Sequence, residues 1–228
     1  VTRKMIVLGL CLIVLSTLLI SLVNSRMPRV TSVNPVGGFD PTQILVWYDD
    51  FIGSTLDTDT YFHQDIGTAT GAVNNQRGGV YRIVTGANPN SRRETNWGFL
   101  RALIILGNPV MISRFRVLQL DSNFNIGLND INVFGVAGDP NLYFTDGVNT
   151  FTLPLPRDVR WHTMKLEITG SAQTGWLLTL WIDGVLQLQT PNVLLSGSTE
   201  EIYLRLADNG VTVNRQMDID YIFIYQNR

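Results

Sequence analysis

The chain has 228 residues, 45% hydrophobic and 16% charged, with a formal net charge of −2. That balance argues against a nucleic-acid binder, which would present a basic field. The only cysteine, Cys11, excludes disulfides and a Cys-based metal site.

The first element is apolar. Met5 to Val23 read MIVLGLCLIVLSTLLISLV, 19 positions interrupted only by Ser16, Thr17 and Ser21. As a helix this run reaches roughly 28 Å, close to the hydrocarbon thickness of a bilayer. Arg3 and Lys4 precede it, and Arg26 and Arg29 follow it. The positive-inside rule then places the amino end in the cytoplasm and the rest outside. A cleaved signal peptide is the other reading of a basic start. The run is longer than the usual apolar region of about 7–15 residues, which favours a retained anchor. We expect residues 1–25 to form a single transmembrane helix, in contact with lipid, with an integral membrane protein or with copies of itself.

Residues 26–43 read as an extended linker, because Pro28, Pro35, Pro41 and Gly37-Gly38 interrupt any regular element. Residues 44–228 fit one all-β domain. Expected strands are Ile44–Asp49, Thr60–Ile66, Gly79–Val84, Gly98–Leu106, Met111–Leu118, Ile126–Val136 and Asn141–Phe144. They continue with Thr150–Leu153, Trp161–Thr169, Trp176–Ile182, Val185–Thr190, Glu201–Leu206 and Ile219–Gln226. Turn signals lie between them at residues 107–109, 138–140, 146–147 and 208–210. Asp183-Gly184 predicts a tight hairpin with both residues at positive φ. Many short strands with such turns argue a two-sheet antiparallel sandwich.

Alternation assigns faces. Met164, Leu166 and Ile168, Leu178, Leu180 and Ile182, Ile202, Leu204 and Leu206, and Ile222 and Ile224 should fill the space between sheets. Their neighbours point outward, so Trp161, Lys165, Trp181, Tyr203 and Arg205 are expected to share a surface. Arg92, Arg93, Arg101, Arg114 and Arg116 read as a solvated sheet face.

Three segments carry a resemblance. VWYDDFIGSTLDTDTYF (46–62), WHTMKLEITG with GWLLTLWIDGVLQL (161–188) and RQMDIDYIFIYQ (215–226) resemble, in order, segments of concanavalin A-like lectin/glucanase domains. The second is shared with laminin-G-like domains, and the third resembles the closing strand of family-16 glycoside hydrolases. The resemblance implies a jelly roll whose concave face binds glycans. The hydrolases carry a Glu-x-Asp-x-x-Glu strand, which aligns carboxylates on one face for a retaining mechanism. None of Glu94, Glu167, Glu200 and Glu201 begins that motif, and Asp121 and Asp130 are too far apart in FRVLQLDSNFNIGLNDINVFGV to replace it. A glycosidase is therefore not expected.

The resemblance also implies a structural calcium ion near the first and last strands. Asp50 and Asp220 match those places, and Gly79 could lend a carbonyl. The competing reading makes Asp50 a turn cap and Asp220 a hydrogen-bond partner of the adjacent strand. His63 and His162 have no metal-ligand spacing, and Ser113 and Ser171 lack a nucleophile context.

Anchor and sandwich together suggest a non-catalytic, membrane-anchored accessory or structural subunit, with its sandwich on the extracytoplasmic side. A second reading is a surface glycan-binding module with Trp97, Trp161 or Trp181 as platforms. A third is a pilin-like or virion structural protein, with which the apolar helix is compatible, although Lys4 and the absence of an acidic residue in the helix argue against type IV pilin packing.

Overall fold

The computed structural model describes residues 43–51, 61–74, 79–86, 91–97, 108–128, 130–171, 174–191, 202–208 and 214–227. The apolar run, the linker up to residue 42 and the expected strand Gly98–Leu106 lie outside the described residues. Among those described, no helix is long and apolar enough to cross a membrane.

The strands are β1 (Gln43–Asp49), β2 (Tyr61–Ile66), β3 (Thr70–Asn74), β4 (Val80–Val84), β5 (Arg92–Trp97), β6 (Pro109–Val117), β7 (Asn123–Leu128) and β8 (Ile131–Gly135). They continue as β9 (Asn141–Asp146), β10 (Thr150–Pro156), β11 (His162–Ser171), β12 (Gly175–Ile182), β13 (Val185–Pro191), β14 (Ile202–Ala207) and β15 (Gln216–Asn227). They form two antiparallel sheets. Sheet A runs β13-β12-β11-β6-β15-β4-β3, with β1 also on β15, and sheet B runs β10-β9-β8-β7-β14-β5-β2.

The alternation read from sequence decides which side of each strand is buried. Met164, Leu166, Ile168, Leu178, Leu180 and Ile182 of sheet A meet Phe124, Ile126, Val133, Phe144, Ile202 and Leu204 of sheet B in one core. Each is almost fully removed from water, which contributes roughly 1.5–3 kcal/mol per side chain. The hairpin at Asp183-Gly184 has φ of 52° and 77°, as its sequence requires.

Several expectations need correction, among them the absence of any strand where β3 lies. The strand read as Ile126–Val136 is a hairpin: Leu128 pairs with Ile131, so the chain reverses between β7 and β8. Asn and Asp tolerate turn conformations, and hydrophobic residues on both sides hide the break. β5 was not expected as a strand because its sequence, RRETNW, is polar. Its inward side chains are Arg93 and Thr95, only 6% and 1% exposed. Arg93 is therefore not on the solvated face expected for it. Arg93 Nε donates to the Tyr81 hydroxyl at 2.8 Å, and that hydroxyl lies 2.9 Å from Thr95 Oγ1. Arg93 also forms an ion pair with Asp65 at 2.8 Å.

Candidate functional site

Sheet B turns a polar and aromatic face away from the core. Antiparallel register sets its rows. Thr152, Tyr143, Phe134, Asn125, Arg205, Glu94 and Gln64 follow one another across the strands from β10 to β2. At about 4.8 Å per strand, the stretch from Tyr143 to Glu94 spans roughly 19 Å. The neighbouring row contains Thr145, Asn132, Gly127 and Tyr203.

The aromatic end is held in place. The Phe134 and Tyr143 rings stack with centroids 5.4 Å apart and an interplanar angle of 23°. Tyr143 donates its hydroxyl to Asp139 at 2.6 Å, and Asn141 donates to Asp139 through both its backbone and its side chain. The hydrogen bond from Tyr143, aided by those from Asn141, holds the Asp139 carboxyl below its ordinary pKa. It is therefore ionised at neutral pH and fixes the ring edge.

The centre of the face owes its shape to a glycine. A Cβ on Gly127 would stand 2.3 Å from the Ile131 carbonyl oxygen and 2.7 Å from Asn132 Cβ. Without it, Asn132 packs closely and accepts a hydrogen bond from Asn125 Nδ2 at 2.9 Å. Beyond lie Tyr203 and Arg205. Burial, then the charge of Glu94, raises the Tyr203 pKa above its ordinary value despite a hydrogen bond from Arg205. The phenol is therefore neutral and available as a donor. Glu94 Oε1 lies 3.4 Å from Nε of both Arg92 and Arg205. It is the only carboxylate among the described outward positions of β5, β7, β8 and β14.

No family model matches the chain, and no curated protein matches it. Solved structures do. An endo-β-1,4-glucuronan lyase from the fungus Trichoderma reesei superposes with a TM-score of 0.56 at 13% identity, covering 80% of this chain and 96% of the other. The carbohydrate recognition domain of Emp47p gives 0.57 at 15% identity, covering 84% of this chain and 100% of the other. A LamA variant from Z. galactanivorans, in complex with laminaritriose and laminaritetraose, gives 0.56 at 15% identity and covers 80% and 98%. The fold is the concanavalin A-like lectin/glucanase jelly roll. At these identities the likeness establishes the fold and nothing finer.

The jelly roll separates residues expected to share a surface. Trp161, Lys165 and Trp181 belong to the outward side of sheet A, whereas Tyr203 and Arg205 belong to the outward side of sheet B. The core lies between them, so the expected single patch does not exist. The alternation was read correctly strand by strand, but alternation says nothing about which sheet a strand joins. Trp161 is engaged by Arg114 and Arg116, whose guanidinium carbons lie 5.0 and 4.6 Å from its ring centroid. Lys165 Nζ sits 4.5 Å from the Trp181 ring and 3.4 Å from Glu167. Trp97 ends β5 opposite Tyr61, and its side chain lies outside the described residues.

Of the expected calcium donors, Asp50 and Gly79 lie side by side and Asp220 is ion-paired. Gly79 does back onto Asp50: its Cβ position would lie 2.5 Å from the Asp50 carbonyl oxygen. Asp220, however, is held by Arg114 at 2.6 Å. An arginine bonded to the carboxylate opposes a cation at the same oxygen. Among the described residues, no three His, Cys, Asp or Glu side chains gather as metal ligands.

The remaining candidates are structural. His162 is 4% exposed, between Asp183 at 2.8 Å on Nδ1 and Asp158 at 3.0 Å on Nε2. The His63 side chain lies outside the described residues. Ser113 is fully buried, and Ser171 bonds Thr174 in a turn. Asp121 pairs with Arg215, so neither it nor the turn residue Asp130 stands in for the missing catalytic strand. Sequence reasoning missed Glu94, Asn125, Asn132, Phe134 and Tyr143. The signal available was the polar, outward half of the segment FNIGLNDINVF, which becomes legible only once the hairpin is placed.

Proposed function

We propose that the domain is a non-catalytic carbohydrate-binding module whose ligand lies across the outer face of sheet B. One observation carries the reading: a row of fixed aromatic and amide side chains, Tyr143, Phe134 and Asn125, continues into Arg205 and Glu94 on a single face. Stacked rings offer apolar area to the C–H face of a sugar, and amides and phenols answer its hydroxyls. The shared fold of the Emp47p carbohydrate recognition domain and of the LamA variant bound to laminaritriose and laminaritetraose supports the same class of ligand.

Glu94 as the single carboxylate among the described outward positions of β5, β7, β8 and β14 supports the non-catalytic reading. Retaining and inverting hydrolases both need two carboxyl groups, about 5–5.5 or 6.5–9.5 Å apart. Here Glu94 stands between two arginines, with no second acid beside it among the described residues.

The test is binding of the full chain to immobilised polysaccharides. Phe134→Ala should weaken retained binding by about tenfold while leaving the far-UV circular dichroism unchanged. Binding that survives Phe134→Ala and Tyr143→Ala together would remove this face from the site. Release of new reducing ends by the wild-type protein would overturn the non-catalytic part.

The apolar run from Met5 to Val23 favours one addition, display of the module at a membrane with its domain on the extracytoplasmic side. In that setting an accessory role beside integral membrane proteins is compatible with glycan binding. The full chain should stay with the membrane pellet after alkaline carbonate washing. Its release into the supernatant would end the tether reading.

A further inference from the structure

The cationic end of the sheet B face is out of balance. Arg205 on β14 faces Glu94 on β5, and the next pair on the same side of that ladder is Ala207 with Arg92. Glu94 therefore serves two guanidiniums, each through Nε at 3.4 Å. In both arginines Nε is shielded from water and makes no hydrogen bond. The Glu94 side chain is 16% exposed, while those of Arg92 and Arg205 are 37% and 33% exposed. The carboxylate thus lies low in the face and the arginine ends stand above it.

Among the described residues of this row nothing restores neutrality. The positions that continue the row from Arg205 are Asn125, Phe134 and Tyr143, all uncharged. Asp139, at the far end, already accepts from Tyr143 and Asn141. Among the described residues, this end of the face therefore carries two cations to one anion, while the chain as a whole is at −2. A neutral sugar laid over this end would strip water from an uncompensated guanidinium, which is unfavourable. An anionic group on the sugar would supply the missing charge. It would also match the planar donor fork of arginine, which pairs with carboxylate or a similar oxyanion through two parallel hydrogen bonds.

We infer that the ligand is an anionic glycan, with its carboxylate or sulfate received by Arg205 with Arg92 beside it. This rests on the glycan-binding reading and adds the charge class of the sugar. The position of the aromatic pair relative to the arginines sets the geometry: a ring stacks on Phe134 and Tyr143, and a charged substituent two to three strands away meets Arg205.

The experiment uses the full chain on an array of matched oligosaccharides. Cello-, manno- and galacto-oligosaccharides are each presented neutral, as the C6-oxidised uronate and as a sulfate ester. At low salt an anionic member should bind at least about tenfold more tightly than its neutral counterpart, the scale of one charge-assisted contact. Added salt should narrow the gap. Arg205→Gln should level the anionic and neutral members, and Arg92→Gln should narrow the gap if the first variant does not fold. Phe134→Ala should weaken both members together. Uronate binding without sulfate binding assigns a carboxylate, and binding of both assigns charge alone; each supports the inference. Neutral members bound as tightly as their anionic partners would overturn it and leave the glycan reading standing. A folded protein that binds no member of any set would overturn both.

Discussion

Asp218 has no solvent exposure, yet it is ionised. Burial on its own would raise its pKa, but hydrogen bonds from Arg82, Arg116 and Gln216 outweigh that effect and hold it below its ordinary value. Arg82 meets it at 2.8 and 3.1 Å, Arg116 at 3.0 and 2.7 Å, and Gln216 at 3.0 Å. A depressed carboxyl stabilises the fold above its unfolded pKa and loses that contribution as pH falls through the folded one. Stability from Asp218 should therefore be complete above about pH 4 and decline below it. Asp218→Asn removes the charge and leaves two arginines facing an amide. It should cost about 3 kcal/mol, the low end for a buried pair because both arginines reach solvent. Urea titrations at neutral and acid pH would check this. A difference between variant and wild type that does not shrink in acid would mean that the ion pairs are not the source.

At the scale of elements, the β7–β8 hairpin depends on close backbone approach at Gly127. Gly127→Ala would place a methyl 2.3 Å from the Ile131 carbonyl oxygen, which only a strand shift can relieve. We expect a loss of about 2 kcal/mol, or roughly 4–8 °C in thermal midpoint, with a weaker glycan interaction because Asn132 and Asn125 move. An unchanged midpoint would show that the hairpin adapts freely. The same hairpin marks where sequence reading stopped. Strands with one apolar and one polar side, such as β11, β12 and β14, were legible because alternation is a local signal. The β7–β8 turn was hidden by Leu128 and Ile131 on either side of it. β5 was illegible because its inward residues, Arg93 and Thr95, are polar and find partners only in distant segments. β15 shows a subtler limit. Met217 and Ile219 face the core, then Ile222 and Ile224 do, so the buried parity changes across the irregularity between Ile219 and Tyr221. A bulge changes the facing of everything after it, and the sequence marks it only by Asp220.

At the scale of the whole molecule, the two sheets are joined by more than apolar contact. Tyr81 of sheet A and Arg93 and Thr95 of sheet B meet inside the sandwich, and Arg93 continues to Asp65 at the edge. Gly71 of β3 backs closely onto the same group: a Cβ there would lie 2.4 Å from Arg93 Nε and 2.6 Å from the Tyr81 hydroxyl. Burial keeps the Tyr81 pKa above its ordinary value, even though Arg93 and Thr95 lower it, so the phenol is neutral and can accept from Arg93. This network ties the sheet that bears the candidate face to the sheet behind it. Tyr81→Phe keeps the ring and its stack with Phe51, whose centroid is 5.5 Å away. It removes the one oxygen that joins Arg93 to Thr95. The loss should be about 1–3 kcal/mol, the cost of leaving a buried donor without its acceptor. Because both sheets share one core, the denaturant midpoint should fall while the slope of the transition stays constant. A shallower slope would mean that the sheets separate in stages once this link is cut. The face on sheet B would then owe its rigidity to the polar network rather than to the apolar core beneath it.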